Sequence, residues 1–324
     1  MKSGKVRAID LFCGIGGNAW GARAAGVEIV AGFDKWDLAG AVFKDNFPEA
    51  RFYQVDLAAL SRADIQRIRD EIGPVDLILA SPECTSHSVA RGASPKDKAS
   101  LRLSWNVWRF AEVFQPRWVV VENVTSMRKW DGYHHFLNIM QEKGGYRYRE
   151  ASLVASHFGV PQRRRRLYII FDREKTPPVI EAPAGREIPA RQVVCLNGRY
   201  PFSPLVTERR AKNTLARAER AFAALGRDKP FLLVYYGSDA AGGWQPLDVP
   251  LRTITTVDRF ALVKPDGNGG HMMRMLQPPE LQAAMGFPPE FKLARGTRRN
   301  KIHLLGNAVC PPVMQAIVET LLEK

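Results

Sequence analysis

The chain has 324 residues, 45% of them hydrophobic and 25% charged, with a formal net charge of +14; this supports a packed core in one large domain or two unequal ones and argues against wholesale disorder. No run approaches the roughly 18 uninterrupted apolar residues of a membrane span, Met1–Asp10 lacks the apolar stretch of a signal peptide, and the scattered Cys13, Cys84, Cys195 and Cys310 form neither a disulfide framework nor a CxxC zinc pair. A cytoplasmic protein without membrane or metal is expected, and the positive charge favours a polyanionic partner such as nucleic acid.

Short apolar runs alternate with helical patterns over the first 170 residues. Val6–Phe12 reads as a buried strand ending in the turn Cys13-Gly14-Ile15-Gly16-Gly17, with a helix after it carrying Ala19, Trp20, Ala24 and Ala25. Glu28–Phe33 is a second strand stopping at Asp34, and Leu38–Phe47 is helical. Tyr53–Val55 is a third strand ending at Asp56, and Asp76–Ala80 a fourth running into Ser81-Pro82-Glu83-Cys84. Trp118–Val121 is a fifth, ending at Glu122-Asn123-Val124, and Leu167–Phe171 a late one behind an arginine run. The alternation specifies an α/β fold, a doubly wound, mostly parallel sheet. Such sheets bind ligands beyond the carboxyl ends of their strands, where these polar and reactive residues fall.

From about residue 172 the texture changes. Pro177, Pro178, Pro183 and Pro189 read as a linker, 204–226 as a basic helix, and 231–263 as short strands with glycine-rich turns. Three segments are expected: 1–185, a smaller second domain at 186–270, and a helical tail at 271–324. The charge is concentrated, with 14 Lys/Arg against 6 Asp/Glu in residues 162–220, so more than half of the surplus lies in under a fifth of the chain.

The turn Asp10–Gly17 lacks GxGxxG spacing, yet its glycines let a ligand approach the backbone at a helix N-terminus. Asp34 and Asp56 are placed to accept hydrogen bonds from ribose hydroxyls and an adenine amine, and each also fits a plain strand-end cap. Cys84 follows a central strand in a turn shaped by Pro82; a free cysteine there is either a nucleophile or a small buried hydrophobe. Glu122 ends the neighbouring strand and is positioned to share its pocket, with His87 an alternative base. In Gln162-Arg163-Arg164-Arg165-Arg166, strand alternation puts Gln162, Arg164 and Arg166 on one face and Arg163 and Arg165 on the other. Four arginines entering an apolar strand call for inward carboxylate or phosphate partners, the alternative being a solvated basic edge.

Taken in this order, the motifs resemble those of the DNA (cytosine-5) methyltransferase family over nearly the whole chain outside about 172–245. DLFCGIGG at 10–17 resembles the family's first motif, and the Ser81–Ser88 stretch its Pro-Cys loop. Glu122-Asn123-Val124 is similar to ENV and Gln162–Arg166 to QxRxR. Arg274–Glu280 with Met285–Pro288 resembles the ninth motif, and Gly306-Asn307-Ala308-Val309 the tenth. The loop departs from the family in having Glu83, Thr85 and His87 where proline, glutamine and phenylalanine are usual.

The resemblance implies a Rossmann-like, S-adenosyl-L-methionine-dependent fold with a smaller target-recognition domain, and methylation of carbon 5 of a flipped cytosine in double-stranded DNA, leaving S-adenosyl-L-homocysteine. It assigns catalysis to Cys84, Glu122, Arg164 and Arg166. The cofactor falls to Asp10, Phe12, Cys13, Gly14, Ile15, Gly16 and Gly17, to Asp34, Lys35, Asp56, Leu57 and Pro82, and to Asn307, Ala308 and Val309. DNA contact falls to Gln162, Arg163, Arg165, Arg252, Thr253 and Thr255, supported by Arg259 and a helix bearing Arg209, Arg210, Lys212, Arg217 and Arg220. A monomer is expected, solitary or matched with a restriction endonuclease encoded elsewhere. A tRNA cytosine-5 methyltransferase and a catalytically dead DNA-binding homologue are the alternatives.

Overall fold

The computed structural model describes residues 4–82, 103–236 and 241–323. Its centre is a seven-stranded sheet of β1 (Arg7–Leu11), β2 (Glu28–Asp34), β3 (Arg51–Gln54), β4 (Leu77–Ala80), β5 (Trp118–Asn123), β6 (Arg147–Val154) and β8 (Arg165–Asp172). The order is β3-β2-β1-β4-β5-β8-β6. The first five strands pair in parallel, and β8 runs antiparallel to both neighbours. Strand order reverses between β1 and β4, which opens a crevice at their carboxyl ends.

Alternate side chains of the sheet feed two cores. Ala8, Ile29, Leu77, Leu79, Val120 and Ile170 pack with helices α1 (Gly17–Ala24) and α2 (Asp37–Asn46). Ile9, Leu11, Ile78, Val119, Val121 and Ile169 pack on the other face, with α3 (Arg62–Ile72), α4 (Leu103–Phe114) and α5 (Tyr133–Glu142). Strands that are apolar on both faces are what a doubly covered sheet demands. Edge strand β6, Arg-Tyr-Arg-Glu-Ala-Ser-Leu-Val, is only partly buried and has no such run.

A second, antiparallel sheet has the order β11-β10-β13-β14-β9, from β9 (Ser203–Pro204), β10 (Phe231–Val234), β11 (Trp244–Pro246), β13 (Phe260–Pro265) and β14 (His271–Met275). Helix α6 (Lys212–Leu225) covers it with Ala218, Ala221 and Phe222 against Phe231, Leu233 and Val263. Strand β14 lies past residue 270, so the small sheet extends beyond the boundary expected there, and Met272–Met275 is strand rather than helix. A two-residue parallel ladder between β7 (Gln162–Arg163) and β12 (Leu251–Arg252) ties the units together. Three helices finish the chain: α7 (Pro278–Ala284), α8 (Arg298–Asn307) and α9 (Pro311–Leu322), the last packing on α1. The segment Arg298–Leu322 is apolar and long enough to cross a membrane by composition, but 67% of its apolar window is buried within the fold.

Where the small sheet meets the tail, Arg274 and Glu280 form a buried ion pair at 2.6 Å. The Glu280 carboxylate also accepts from the backbone N–H of Cys195 and of Gln277, and Arg274 donates to the Cys195 carbonyl. Removing one partner leaves an uncompensated buried charge. Glu280→Ala is therefore expected to cost about 3–5 kcal/mol of stability, read from urea denaturation; a loss within the scatter of surface substitutions would contradict the account.

Candidate active site

The site begins at the end of β1. Phe12 has a φ of 55°, a left-handed conformation that costs energy for a residue with a side chain. It is held by Ser81, whose hydroxyl donates to the Phe12 carbonyl at 3.1 Å. The glycine turn follows, and Asp34 at the end of β2 fixes it: one carboxylate oxygen accepts from Gly14 N at 2.8 Å and the other from Trp36 N at 2.9 Å. Gly17 opens α1 so close to the tail that a Cβ there would meet the Val309 carbonyl at 2.3 Å.

Beneath the turn Asp10 is fully buried, accepting from the Asn18 amide at 3.3 Å and the Ala19 N–H at 3.2 Å. Burial pushes its carboxyl up to about 8 against the pull of those two hydrogen bonds. Asn18 also donates to Ser81 Oγ at 3.2 Å. Pro82 is anchored by its carbonyl, which accepts from the Asn123 amide at 3.0 Å. The start of the loop toward Cys84 is thus fastened to β1, α1 and β5. Cys84, Glu83, Thr85 and His87 lie outside the described residues.

At the end of β5, Glu122 is buried, and Arg166 Nε lies 3.1 Å from its Oε1. The registers explain the meeting: Glu122 pairs with Tyr168 and Asn123 with Leu167, leaving Arg166 one position beyond. Burial raises the Glu122 carboxyl above the ordinary value, outweighing Arg166 and Arg164, which draw it down. Arg164, also buried, donates to the carbonyls of Ile254, Gly306 and Ala308 at 3.0–3.1 Å.

These elements enclose a cavity of about 560 Å³. Its walls are residues 12–15 with Gly17, residues 34–36, residues 55–57, Ser81 with Pro82, Glu122 with Arg164 and Arg166, and Gly306–Val309. The structure thus gathers the expected cofactor and catalytic residues it describes, with two exceptions. Asp10 and Gly16 do not line the cavity. Asp10 supports the turn from below, and Gly16 caps α1 with a φ of 88°. Asn18, Trp36, Thr256 and His303, which are not among the expected site residues, also line it. Trp36 was accessible in principle, as an aromatic just past a strand-end aspartate at the crevice.

The basic run divides as alternation predicts, with Gln162 and Arg164 buried and Arg163 and Arg165 exposed. The expected DNA contact by Gln162 does not fit its placement: it is inaccessible, its amide donates to the Ala284 carbonyl at 3.2 Å, and its oxygen accepts from Ile254 N at 2.8 Å. Arg164, which lines the cavity, spends Nη1 and Nη2 on its three carbonyls. Arg163 pairs with Glu187 at 2.7 Å. Thr253 donates its hydroxyl to the Arg163 carbonyl at 3.0 Å, Thr255 to that of Val257 at 3.1 Å, and Arg252 to that of Trp244 at 3.0 Å. In the basic helix region, Arg210 donates to the Leu205 and Pro204 carbonyls and Arg220 to that of Gly242.

Asp10 gives the pH dependence a sign. Its ordinary value of 3.8 and its native value of about 8 mean that the folded chain keeps a proton the unfolded chain releases. The stability this contributes is full below about pH 4 and declines toward about pH 8, by up to about 1.4 kcal/mol per pH unit. Asp10→Asn should remove that decline, so urea midpoints of wild type and variant converge at low pH and separate as pH rises to 8. Parallel midpoints across this range would show Asp10 ionised throughout.

A model of the C-5 cytosine-specific DNA methylase family matches residues 6–323. Type II methyltransferase M.HindV of Haemophilus influenzae is 34% identical over 168 residues, 51% of this chain and 52% of that protein. Type II methyltransferase M.HgiDI of Herpetosiphon aurantiacus is 26% identical over 314 residues, covering 94% of this chain and 90% of that one. The chain therefore matches about half the length of the first relative and most of the second. Among solved structures, the S. pombe Dnmt2 methyltransferase aligns with a TM-score of 0.69 at 17% identity over 99% of both chains, which shows a common fold. With the match running from β1 through α9, the chain belongs to the C-5 cytosine-specific DNA methylase family.

Proposed function

We propose that this chain transfers a methyl group from S-adenosyl-L-methionine to carbon 5 of a cytosine turned out of double-stranded DNA. One observation carries the reading: the pair of buried Glu122 with half-buried Arg166 and the glycine turn with Asp34 and Asp56 share one cavity. A volume of about 560 Å³ is of the size that holds a nucleoside-based ligand.

The residues present fit that cofactor. Asp34 and Asp56 offer carboxylate oxygens to hydroxyl or amine donors, the Trp36 ring offers an apolar face, and the turn brings backbone close to the ligand. When bound, the sulfonium supplies an electrophilic methyl for carbon 5. The remaining work falls to the chain. Carbon 5 of cytosine is a poor nucleophile, so the Cys84 thiolate bonds to carbon 6, which makes carbon 5 electron-rich. Glu122, held by Arg166 and raised by burial above the ordinary carboxyl value, faces ring N3 and the exocyclic amine and stabilises the charge that develops on the ring. After transfer, a base takes the carbon-5 proton and the carbon–sulfur bond breaks, returning the thiolate. A base inside the duplex is out of reach, so the cytosine is flipped out. The +14 charge draws the phosphate backbone, in keeping with a soluble enzyme acting on DNA in the bacterial cytoplasm.

Transfer of labelled methyl from S-adenosyl-L-methionine into unmethylated plasmid DNA tests the reading. Cys84→Ala is expected to abolish transfer while DNA binding persists; retained transfer would overturn the Cys84 mechanism, and label entering tRNA instead would overturn the DNA assignment. Asp56→Ala should raise the KM for the cofactor about tenfold, the worth of one hydrogen bond to a charged group. An unchanged KM would remove Asp56 from the pocket.

A further inference from the structure

The arginine run forms the joint between the two units. Gln162 accepts from Ile254 N, and Thr253 donates to the Arg163 carbonyl. Between those contacts Arg164 turns inward, sending Nη1 to the Ile254 carbonyl at 3.1 Å and Nη2 to the Gly306 and Ala308 carbonyls at 3.0 and 3.1 Å. One planar guanidinium thus holds the backbone of two segments remote in sequence. The first, Thr253–Thr255, belongs to the segment following β12, and its Thr253 carbonyl is also gripped by the Tyr236 hydroxyl. The second, Gly306–Val309, is a wall of the cavity. The two also touch directly, since a Cβ on Gly306 would lie 2.4 to 2.5 Å from the Thr255 carbonyl group.

A fork of fixed geometry transmits displacement. If Ile254 shifts, either the guanidinium follows and carries Gly306 and Ala308 with it, or a buried hydrogen bond is lost, which costs more for a charged donor than for a neutral one. Resting on the function proposed above, we propose that Arg164 is a positioning residue that couples seating of DNA at Thr253–Thr255 to the grip on the cofactor at Gly306–Val309. Such coupling is reciprocal: DNA tightens the cofactor by the same factor as the cofactor tightens DNA.

The test measures S-adenosyl-L-homocysteine affinity by calorimetry, with and without saturating unmethylated plasmid DNA, in wild type, Arg164→Lys and Thr253→Val. Lysine keeps the charge but cannot serve three carbonyls from one rigid fork. The wild type is expected to bind about tenfold tighter with DNA, within the usual range of such couplings. In Arg164→Lys that ratio should fall below about twofold, and in Thr253→Val, which loosens the joint from its other end, it should fall between the two. A merely structural role would weaken binding equally with and without DNA and leave the ratio unchanged. An unchanged ratio in the variants, or no tightening in the wild type, overturns the proposal; should Arg164→Lys fail to fold, Thr253→Val decides. Failure of the methyltransferase reading shows separately, as wild-type protein that puts no labelled methyl into the same plasmid.

Discussion

Taking the Arg164 guanidinium out of water costs free energy that its three carbonyl contacts must offset, so Ile254, Gly306 and Ala308 have to sit together for the chain to fold with that charge inside. Burial draws the group down only to about 10, so it stays charged at neutral pH. Around this point the rest of the site is assembled. Gly306–Val309 closes on α1, where Gly17 leaves no room for a side chain against Val309. Two residues further along the run, Arg166 reaches Glu122. The tail is therefore part of the cavity, and the arginine run is what brings it there.

The electrostatics follow the same logic. Among the described residues two arginines are buried, Arg164 on carbonyl oxygens and Arg274 on the buried acid Glu280, while Arg210 and Arg220 reach carbonyls from the surface. The net charge thus overstates what is available to a polyanion. Arg165 is exposed and makes no ion pair among the described residues, so it fits a backbone phosphate better than buried Arg164 does. Glu122 shows the opposite use of burial, which raises its carboxyl above the ordinary value in a cavity that would receive a base.

The central strands were readable because a sheet covered on both faces requires continuous apolar runs, and Leu77–Ala80, Trp118–Val121 and Leu167–Phe171 supply them. Strand β6 escaped because an edge strand needs no such run, and His271–Met275 because its mixed residues mimic a helix start. Alternation sorted the faces of residues 162–166 but could not name the partners. The acid expected inside was found for Arg166, whereas Arg164 met carbonyls from segments 90 and more residues away. Asp10 and Asp34 illustrate the same limit. Both lie where a ligand-binding acid would be, yet Asp10 braces the turn from beneath, and Asp34 both lines the cavity and fixes the turn through Gly14 and Trp36. Which oxygen a carboxylate shows to a ligand depends on tertiary contacts that no local pattern encodes.

The most direct test of the central claim is bisulfite sequencing of plasmid DNA from a methylation-free host expressing the chain. Cytosines protected in one fixed sequence context, and unprotected when Cys84 is replaced by alanine, are the predicted result. Uniformly converted DNA in the presence of soluble, cofactor-binding protein would contradict it.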